Sequence, residues 1–334
     1  RSALLPRDVA RVRLRRSPQR CASSRRVRDI ARMLTPLDNS ALVFPQRELD
    51  LGIRRGVYRG ARDGEFLKLA PGVYVRRDAW NEMGVDERYC LRVRAAWERA
   101  ASSDVLSHWS AAALWKLPIL GRWPKDVHVV GSATSNSRST SVLRRHTDSW
   151  DAHPVHLDGM RLTALGRTVV DMARVARFPV AVAMGDAALW RAAHPQDAEG
   201  LAGASLEELE ELWSLLDHGR GFARARRVLD FIDGRANRPG ESLSRVTMHA
   251  LGVPTPELQH TVFGPTGRRY ELDFYWPEFN AGAEFDGRAK YTDPRYLAGR
   301  TPDQAVYEEK LREDEIRPQC SAVAAQNPDL GELL

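Results

Sequence analysis

The sequence predicts an α/β protein of α+β multidomain type, with helices and strands mixed along one chain. Three observations predict it. In residues 271–290, ELDFYWPEFNAGAEFDGRAK, apolar Leu272, Phe274 and Trp276 alternate with Asp273 and Tyr275, a break follows from Pro277 to Gly282, and Ala283 and Phe285 resume the pattern. Alternation is strand periodicity, and a break rich in Pro, Asn and Gly is turn chemistry. Residues 28–80 read as helices followed by a two-stranded hairpin, and residues 178–233 carry apolar positions at helical spacing.

A chain of 334 residues is long enough for two or three cores. Its 43% hydrophobic and 28% charged content is ordinary for a globular protein. A formal net charge of +6 favours anionic partners such as nucleic acid but says nothing about clustering. Cys21, Cys90 and Cys320 lie far apart with no C-x-x-C pair, so neither a zinc site nor a disulfide framework is indicated, and a reducing cytoplasm is the default expectation. No apolar run approaches the roughly 20 residues of a membrane span, so no membrane partner is expected.

Residues 1–27 are dense in Arg and Ser and poor in acids, a composition that cannot bury enough apolar surface to order itself. They read as a basic arm for nucleic acid, as a transit-peptide mimic, or, favoured, as an over-extended translation start or disordered tail. Residues 28–80 predict a winged helix. Val27, Ile30, Ala31 and Leu34 space a first helix, Pro45 opens a second, and Leu51-Gly52 ends it. A third helix, Arg54–Arg62, carries Arg54, Arg55, Arg59 and Arg62, and the strands around Pro71-Gly72 form the wing. Such an arrangement can place a basic helix in the major groove while arginines hold phosphate, or it can serve packing alone.

Residues 86–233 predict a middle domain. An amphipathic helix spans 86–100, and a second helix follows Ser107, a plausible N-cap. His108 and Ser110 lie two apart, do not face each other on a helix, and read as capping or packing residues. Strands are expected at Val127–Val130 and Val142–His146, and a helix starts at Thr163, with Arg167 and Asp171 as a surface pair. His146, His153 and His156 lack ligand spacing and read as loop residues. Helices are expected over Val180–Ala192, Leu206–Leu216 and Gly221–Ile232, and Arg224, Arg226 and Arg227 give a basic face. Gly234 to Gly240 reads as a linker.

Residues 237–317 predict a C-terminal domain. Glu241 stands in the first turn of its first helix, where an acid complements the helix dipole or acts as a ligand. The hairpin brings Asp273 near Glu284 and Asp286. Carboxylates gathered this way repel one another when ionised, and oxygen ligands suit Mg²⁺ or Mn²⁺. Lys290 follows as a cation, and Lys310 lies on a helix expected from Thr301 to Arg317. Residues 318–334 have little strand character and read as an irregular tail.

Asp273, the spacer and Glu284-Phe285-Asp286-Gly287 resemble the PD-(D/E)XK nuclease superfamily, in its very-short-patch-repair-like branch. The resemblance covers roughly residues 237–317. It implies a restriction-endonuclease-like αβββα(β) domain, whose final strand is expected to be incomplete here because residues 318–334 depart from the family pattern. It also implies that Glu241, Asp273 and Glu284 serve metal-dependent phosphodiester hydrolysis, with Asp273 and Glu284 on the metal. Asp286 stands where the motif lysine would be, so the lysine falls to Lys290 or Lys310. The wing string LAPGVYV and the middle strings SHWSAAALW, VHVV and LTALGRTVVDMA resemble the AbiEi family of type IV antitoxins. That resemblance implies DNA binding and a toxin protein as a possible partner. Two functions are therefore expected to compete: a metal-dependent DNA endonuclease, and a non-enzymatic antitoxin or transcriptional regulator with a relic nuclease domain.

Overall fold

A computed structural model describes residues 41–131, 139–140, 142–147, 154–216, 219–285, 301, 304, 310–312, 315–316, 320 and 322–326. The basic segment 1–27, the first expected helix around Ile30, and His153, Asp286, Lys290, Arg317, Pro318 and Pro328 lie outside the described residues.

The first unit is a three-stranded antiparallel sheet beside a helix. After β1 (Leu42–Val43), the expected second helix is only a single 3₁₀ turn, Pro45–Arg47. Helix α1 runs from Leu51 to Asp63, so Leu51-Gly52 begins a helix and does not end one. The reason is Asp50, whose carboxylate accepts from the backbone N–H of Gly52 and of Ile53 and caps the first turn. Gly64, at φ 85°, closes the helix in the left-handed conformation. The expected two-stranded hairpin is present as β2 (Phe66–Ala70) and β3 (Val73–Arg76), joined through Gly72 at φ 78°, and the strand order is β1-β3-β2. Only Val57 and Gly60 of α1 are buried. A Cβ on Gly60 would come within 2.9 Å of the Phe66 ring, so the helix lies close on the hairpin. Arg55, Arg59 and Arg62 are exposed and Arg54 is half-buried.

Helices α2 (Arg77–Glu82) and α3 (Val85–Trp97) lead into a mixed five-stranded sheet. Its elements are β4 (Val105–Leu106), β5 (Val127–Gly131), β6 (Leu143–Thr147), β7 (Val155–Leu157) and β8 (Met160–Leu162), in the order β6-β5-β4-β8-β7. Helix α4 (His108–Leu114) follows β4, and α4, α6 (Phe178–Ala193), α7 (Leu206–Ser214) and α8 (Phe222–Leu229) pack around α5 (Leu165–Val175). Ser107 is the N-cap residue of α4, but its hydroxyl pairs with His108 Nδ1 at 2.9 Å instead of capping the helix. Ser110 is a packing residue as expected: its Oγ accepts from the His128 N–H at 2.8 Å.

Two expectations here are overturned. Arg167 and Asp171 do not form a surface pair. Helix α5 is central, Asp171 is fully buried and Arg167 is 3% exposed, and Arg167 Nε donates to Asp171 Oδ2 at 2.9 Å. Nor is His146 a loop residue, since it lies on β6, paired in register with Val130 of β5. Periodicity reports which face a residue occupies, and it does not report whether another layer covers that face. His156 lies on β7 and is exposed.

The C-terminal unit follows the element order α, β, β, β, helix, β. Helix α9 (Pro239–Ala250) precedes β9 (Glu257–Phe263), β10 (Arg269–Trp276) and β11 (Ala281–Phe285). Gln304, Lys310–Arg312 and Glu315–Ile316 are helical, and β12 (Ala322–Gln326) completes a sheet of order β12-β11-β10-β9. The final strand is therefore not missing: β12 pairs parallel with β11 over five residues, Ala281 opposite Ala322 through Phe285 opposite Gln326. Backbone pairing satisfies an edge that β11 would otherwise leave open, and it asks little of side-chain pattern.

The expected linker is a packed junction. Ala236 is 2% exposed, and a Cβ on Gly234 would meet Leu189 of α6 at 2.9 Å. Helix α9 shares both cores: Leu243 and Val246 join the large middle core, and Met248 joins Phe274, Trp276 and Phe285 of the sheet. No helix among the described residues is long and apolar enough to cross a membrane.

Burial of Arg167 with Asp171 generates a prediction. Asp171→Ala leaves a buried guanidinium without this carboxylate, and urea unfolding is expected to show a loss on the order of 3–5 kcal/mol. A loss under about 1 kcal/mol would match an exposed pair and refute the buried reading.

Candidate active site

The site begins at the N-terminus of α9. Pro239 sits at the first helical position, where its missing N–H costs nothing. Gly240 follows, and a Cβ there would lie 2.1 Å from the Phe285 ring, so only glycine lets α9 approach β11 this closely. Glu241 is carried inward by that approach and is 2% exposed. Its Oε2 accepts from the Asn237 N–H at 3.0 Å.

Asp273 comes from β10, half-buried between fully buried Leu272 and Phe274. Its Oδ2 accepts from the Phe285 N–H at 2.7 Å. Between the two acids lies Gln259 of β9, whose Nε2 donates to Glu241 Oε2 at 3.3 Å and to Asp273 Oδ1 at 3.4 Å. Gln259 holds φ at 52°, in the left-handed region, within an otherwise regular strand. Its flanking residues keep register, with Leu272 opposite His260 and Phe274 opposite Leu258. The strained residue is thus the one that touches both carboxylates.

Burial, and next the Asp273 charge, push the Glu241 carboxyl up to about 7, against the opposing Asn237 hydrogen bond. At neutral pH this carboxyl is poised between its two protonation states.

Glu284 stands on β11, in the register that sets Phe274 opposite Ala283, one step further along the same strands. Its carboxylate is engaged by Arg312, with Nη2 to Oε1 at 2.5 Å and Nη1 to Oε2 at 2.9 Å. Arg312 Nη2 also donates to the Glu271 carbonyl at 3.0 Å, tying the following helix to the hairpin. Lys310 is exposed on that helix. Asp286 and Lys290 lie outside the described residues. The structure therefore joins Glu241 to Asp273 through Gln259 and gives Glu284 an arginine partner. Sequence reasoning missed Gln259 and the role of Arg312, because both depend on long-range register and neither carries a local signal.

Among the described residues, no three His, Cys, Asp or Glu side chains converge on a metal-sized cage. Two buried-edge carboxylates fit an open site, since Mg²⁺ is commonly held by one or two carboxylates and completed by water and phosphate oxygens.

No family model matches the chain. Two curated proteins of Mycobacterium tuberculosis, "Uncharacterized protein MT2308" (strain CDC 1551 / Oshkosh) and "Uncharacterized protein Rv2248" (strain ATCC 25618 / H37Rv), are each 34% identical over 140 residues. Those residues are 41% of this chain and 47% of each relative, so the chain spans about half the length of the curated relatives it matches. The crystal structure of the RV2827C protein from Mycobacterium tuberculosis superposes with a TM-score of 0.36 at 18% identity, over 73% of this chain and 88% of that one.

The raised Glu241 carboxyl makes metal-free stability depend on pH. The folded protein keeps this proton up to about pH 7, whereas the ordinary value is 4.5, so the stabilisation is complete below pH 4.5 and is lost as pH rises through 7. In EDTA, the difference in unfolding free energy between wild type and Glu241→Gln is expected to shift against wild type across that window. Parallel pH profiles for the two proteins would refute the assignment.

Proposed function

We propose that the chain is a DNA-binding protein whose C-terminal unit hydrolyses phosphodiester bonds with a divalent metal ion. The observation that carries this reading is the meeting of buried Glu241 and half-buried Asp273, bridged by Gln259, where helix α9 packs on the sheet β12-β11-β10-β9. Asp273 and Glu241 are the residues that would hold Mg²⁺ or Mn²⁺, and Glu284 can join them where Arg312 gives way. Bound there, such an ion would lower the pKa of a water and offset charge on the scissile phosphate. The chain's own groups do the rest. Gln259 holds both carboxylates in one orientation, and the Phe285 N–H fixes Asp273. Arg312, a guanidinium fork held on Glu284, suits a phosphate oxygen. DNA is gathered by α1, whose outward face carries Arg54, Arg55, Arg59 and Arg62 beside the wing.

A second reading draws on one specific observation, the bidentate Arg312–Glu284 pair, which occupies a carboxylate the first reading would use. On that reading the unit is a relic, and the protein is a DNA-binding antitoxin or regulator with a toxin protein as partner.

The decisive comparison is plasmid cleavage in Mg²⁺, Mn²⁺ or EDTA. Wild type is expected to nick DNA only with metal, and Asp273→Asn is expected to lose cleavage while retaining DNA affinity. Metal-dependent nicking by the Asn variant at the wild-type rate would sink the assignment. Wild type that binds DNA yet never cleaves it would favour the second reading.

Binding itself is expected to rest on α1. Replacing Arg54, Arg55 and Arg59 with Ala should weaken binding to all sequences and reduce the slope of log K against log salt by about 0.9 for each phosphate no longer neutralised. An unchanged salt slope would show that the phosphate contacts lie elsewhere.

A further inference from the structure

A second polar centre, sharing no lining residue with the carboxylate site, lies in the middle of the chain. It is a cavity of about 560 Å³. Its cations come from three places: Arg144 and Arg145 on β6, Arg174 at the end of α5, and Arg220 and Arg224 at the start of α8. The α5–α8 junction is held tightly. Gly221 sits at φ 84°, a Cβ there would lie 2.6 Å from the Arg174 carbonyl oxygen, and Arg174 Nε donates to the Arg220 carbonyl at 3.2 Å.

Two of these cations are balanced from behind. Arg145 Nη2 donates to buried Asp104 at 2.7 Å, and Arg174 shares buried Asp171 with Arg167. Neither aspartate lines the cavity, and no carboxylate does among the described residues. Arg144, Arg220 and Arg224 are exposed, and guanidinium groups gathered around one concavity make a strongly positive potential there.

The floor is built from imidazoles. His146 Nε2 lies 2.9 Å from His128 Nδ1, and the His108 and His146 rings stack at 3.9 Å. His128 is 5% exposed, and its Nε2 has no hydrogen-bond partner among the described residues. Burial first, then the neighbouring His146 and Arg144, pull His128 down to about 3, and burial likewise holds His108 well below the ordinary range. These two imidazoles are therefore neutral hydrogen-bonding groups within a cationic wall. His108 also holds φ at 49°, in the strained left-handed region. Trp109 adds an aromatic wall.

We propose that this cavity binds a nucleotide-sized phosphate ester, its phosphate held by Arg144, Arg220 and Arg224 and its ring set against Trp109. The volume lies within the range of about 300–1,000 Å³ typical of small-molecule sites. Guanidinium forks match phosphate oxygens bidentately, and an anion relieves the repulsion among the gathered cations. The same chemistry is offered by a free nucleotide and by the 5′-phosphorylated end of a DNA strand.

The test uses the full chain in EDTA, which leaves metal chemistry at the carboxylate site out. AMP, ATP, adenosine and inorganic phosphate are titrated calorimetrically. Single-stranded oligonucleotides with and without a 5′-phosphate compete against a fluorescent ATP analogue. AMP or ATP is expected to bind, with adenosine weaker by about tenfold or more. Arg220→Ala/Arg224→Ala and, separately, Arg144→Ala should each weaken binding by about tenfold or more, with thermal unfolding unchanged. Asp273→Asn should bind as wild type does, which separates this site from the proposed hydrolytic one. Competition by the 5′-phosphorylated strand alone would assign the site to a DNA end, and competition by free nucleotide alone would assign it to a small ligand. No binding by any phosphate-bearing probe at about 1 mM, adenosine binding as tightly as AMP, or arginine variants binding as wild type would each overturn the proposal.

Discussion

The C-terminal site depends on one residue, Phe285, which fixes both carboxylates at once. Its ring receives the first turn of α9, at a distance that only Gly240 permits, and this carries Glu241 into the interior. Its backbone N–H donates to Asp273 and holds that side chain against the end of β11. An acid pair of this kind is unfavourable by itself, because burial and like charge both oppose ionisation. The structure offsets that with hydrogen-bond donors that include the Asn237 N–H, the Phe285 N–H and the Gln259 amide shared between the acids. A residue held at φ 52° within a strand is strained, and such strain persists only where surrounding packing enforces it.

That packing extends well beyond the sheet. Helix α9 is held to the middle of the chain by Arg245, which pairs with Asp186 of α6 at 2.8 Å and donates to the Phe231 carbonyl at 2.7 Å. Asp186 also accepts from the Asp233 N–H at 2.7 Å, beside the junction that reads as a linker in the sequence. Burial pushes the Asp186 carboxyl up to about 6, although Arg245 opposes the shift. The same helix thus takes part in both polar networks and has faces in both cores. The position of Glu241 is a property of the junction as much as of the sheet.

What was legible in the sequence follows from the range of the interaction responsible. The alternation over Leu272–Trp276 and the turn at Pro277 to Asn280 are local, and the hairpin forms as expected, with Trp276 opposite Ala281. The hairpin at Pro71-Gly72 is equally local, since Gly72 supplies the positive φ the turn requires. Gln259 and Arg312 were not legible, because each meets its carboxylate only after strands or helices far apart in sequence are in register. The same holds for His108, His128 and His146, which lie on three separate elements and meet only once β5, β6 and α4 are packed. Strand β12 escaped notice for a different reason. Its pairing with β11 is a backbone matter, and the run Ala-Val-Ala-Ala-Gln carries almost no alternation.

The distribution of charge sets terms for any reading of the protein. Cations are gathered on the outer face of α1 and around the middle cavity, while the C-terminal site presents carboxylates with the Arg312 guanidinium alongside. A polyanion is attracted to the first two regions and repelled by the third, unless the acids are neutralised. Two routes to neutralisation exist at the site. Glu241 can keep its proton near neutral pH, or a divalent cation can take the place of that proton and of the Arg312 charge. Of the two functions we propose, the first route suits the non-enzymatic one and the second suits metal-dependent hydrolysis. The two proposed functions therefore differ in what neutralises Glu241, Asp273 and Glu284, a proton and the Arg312 guanidinium or a metal ion, while the fold beneath them is the same.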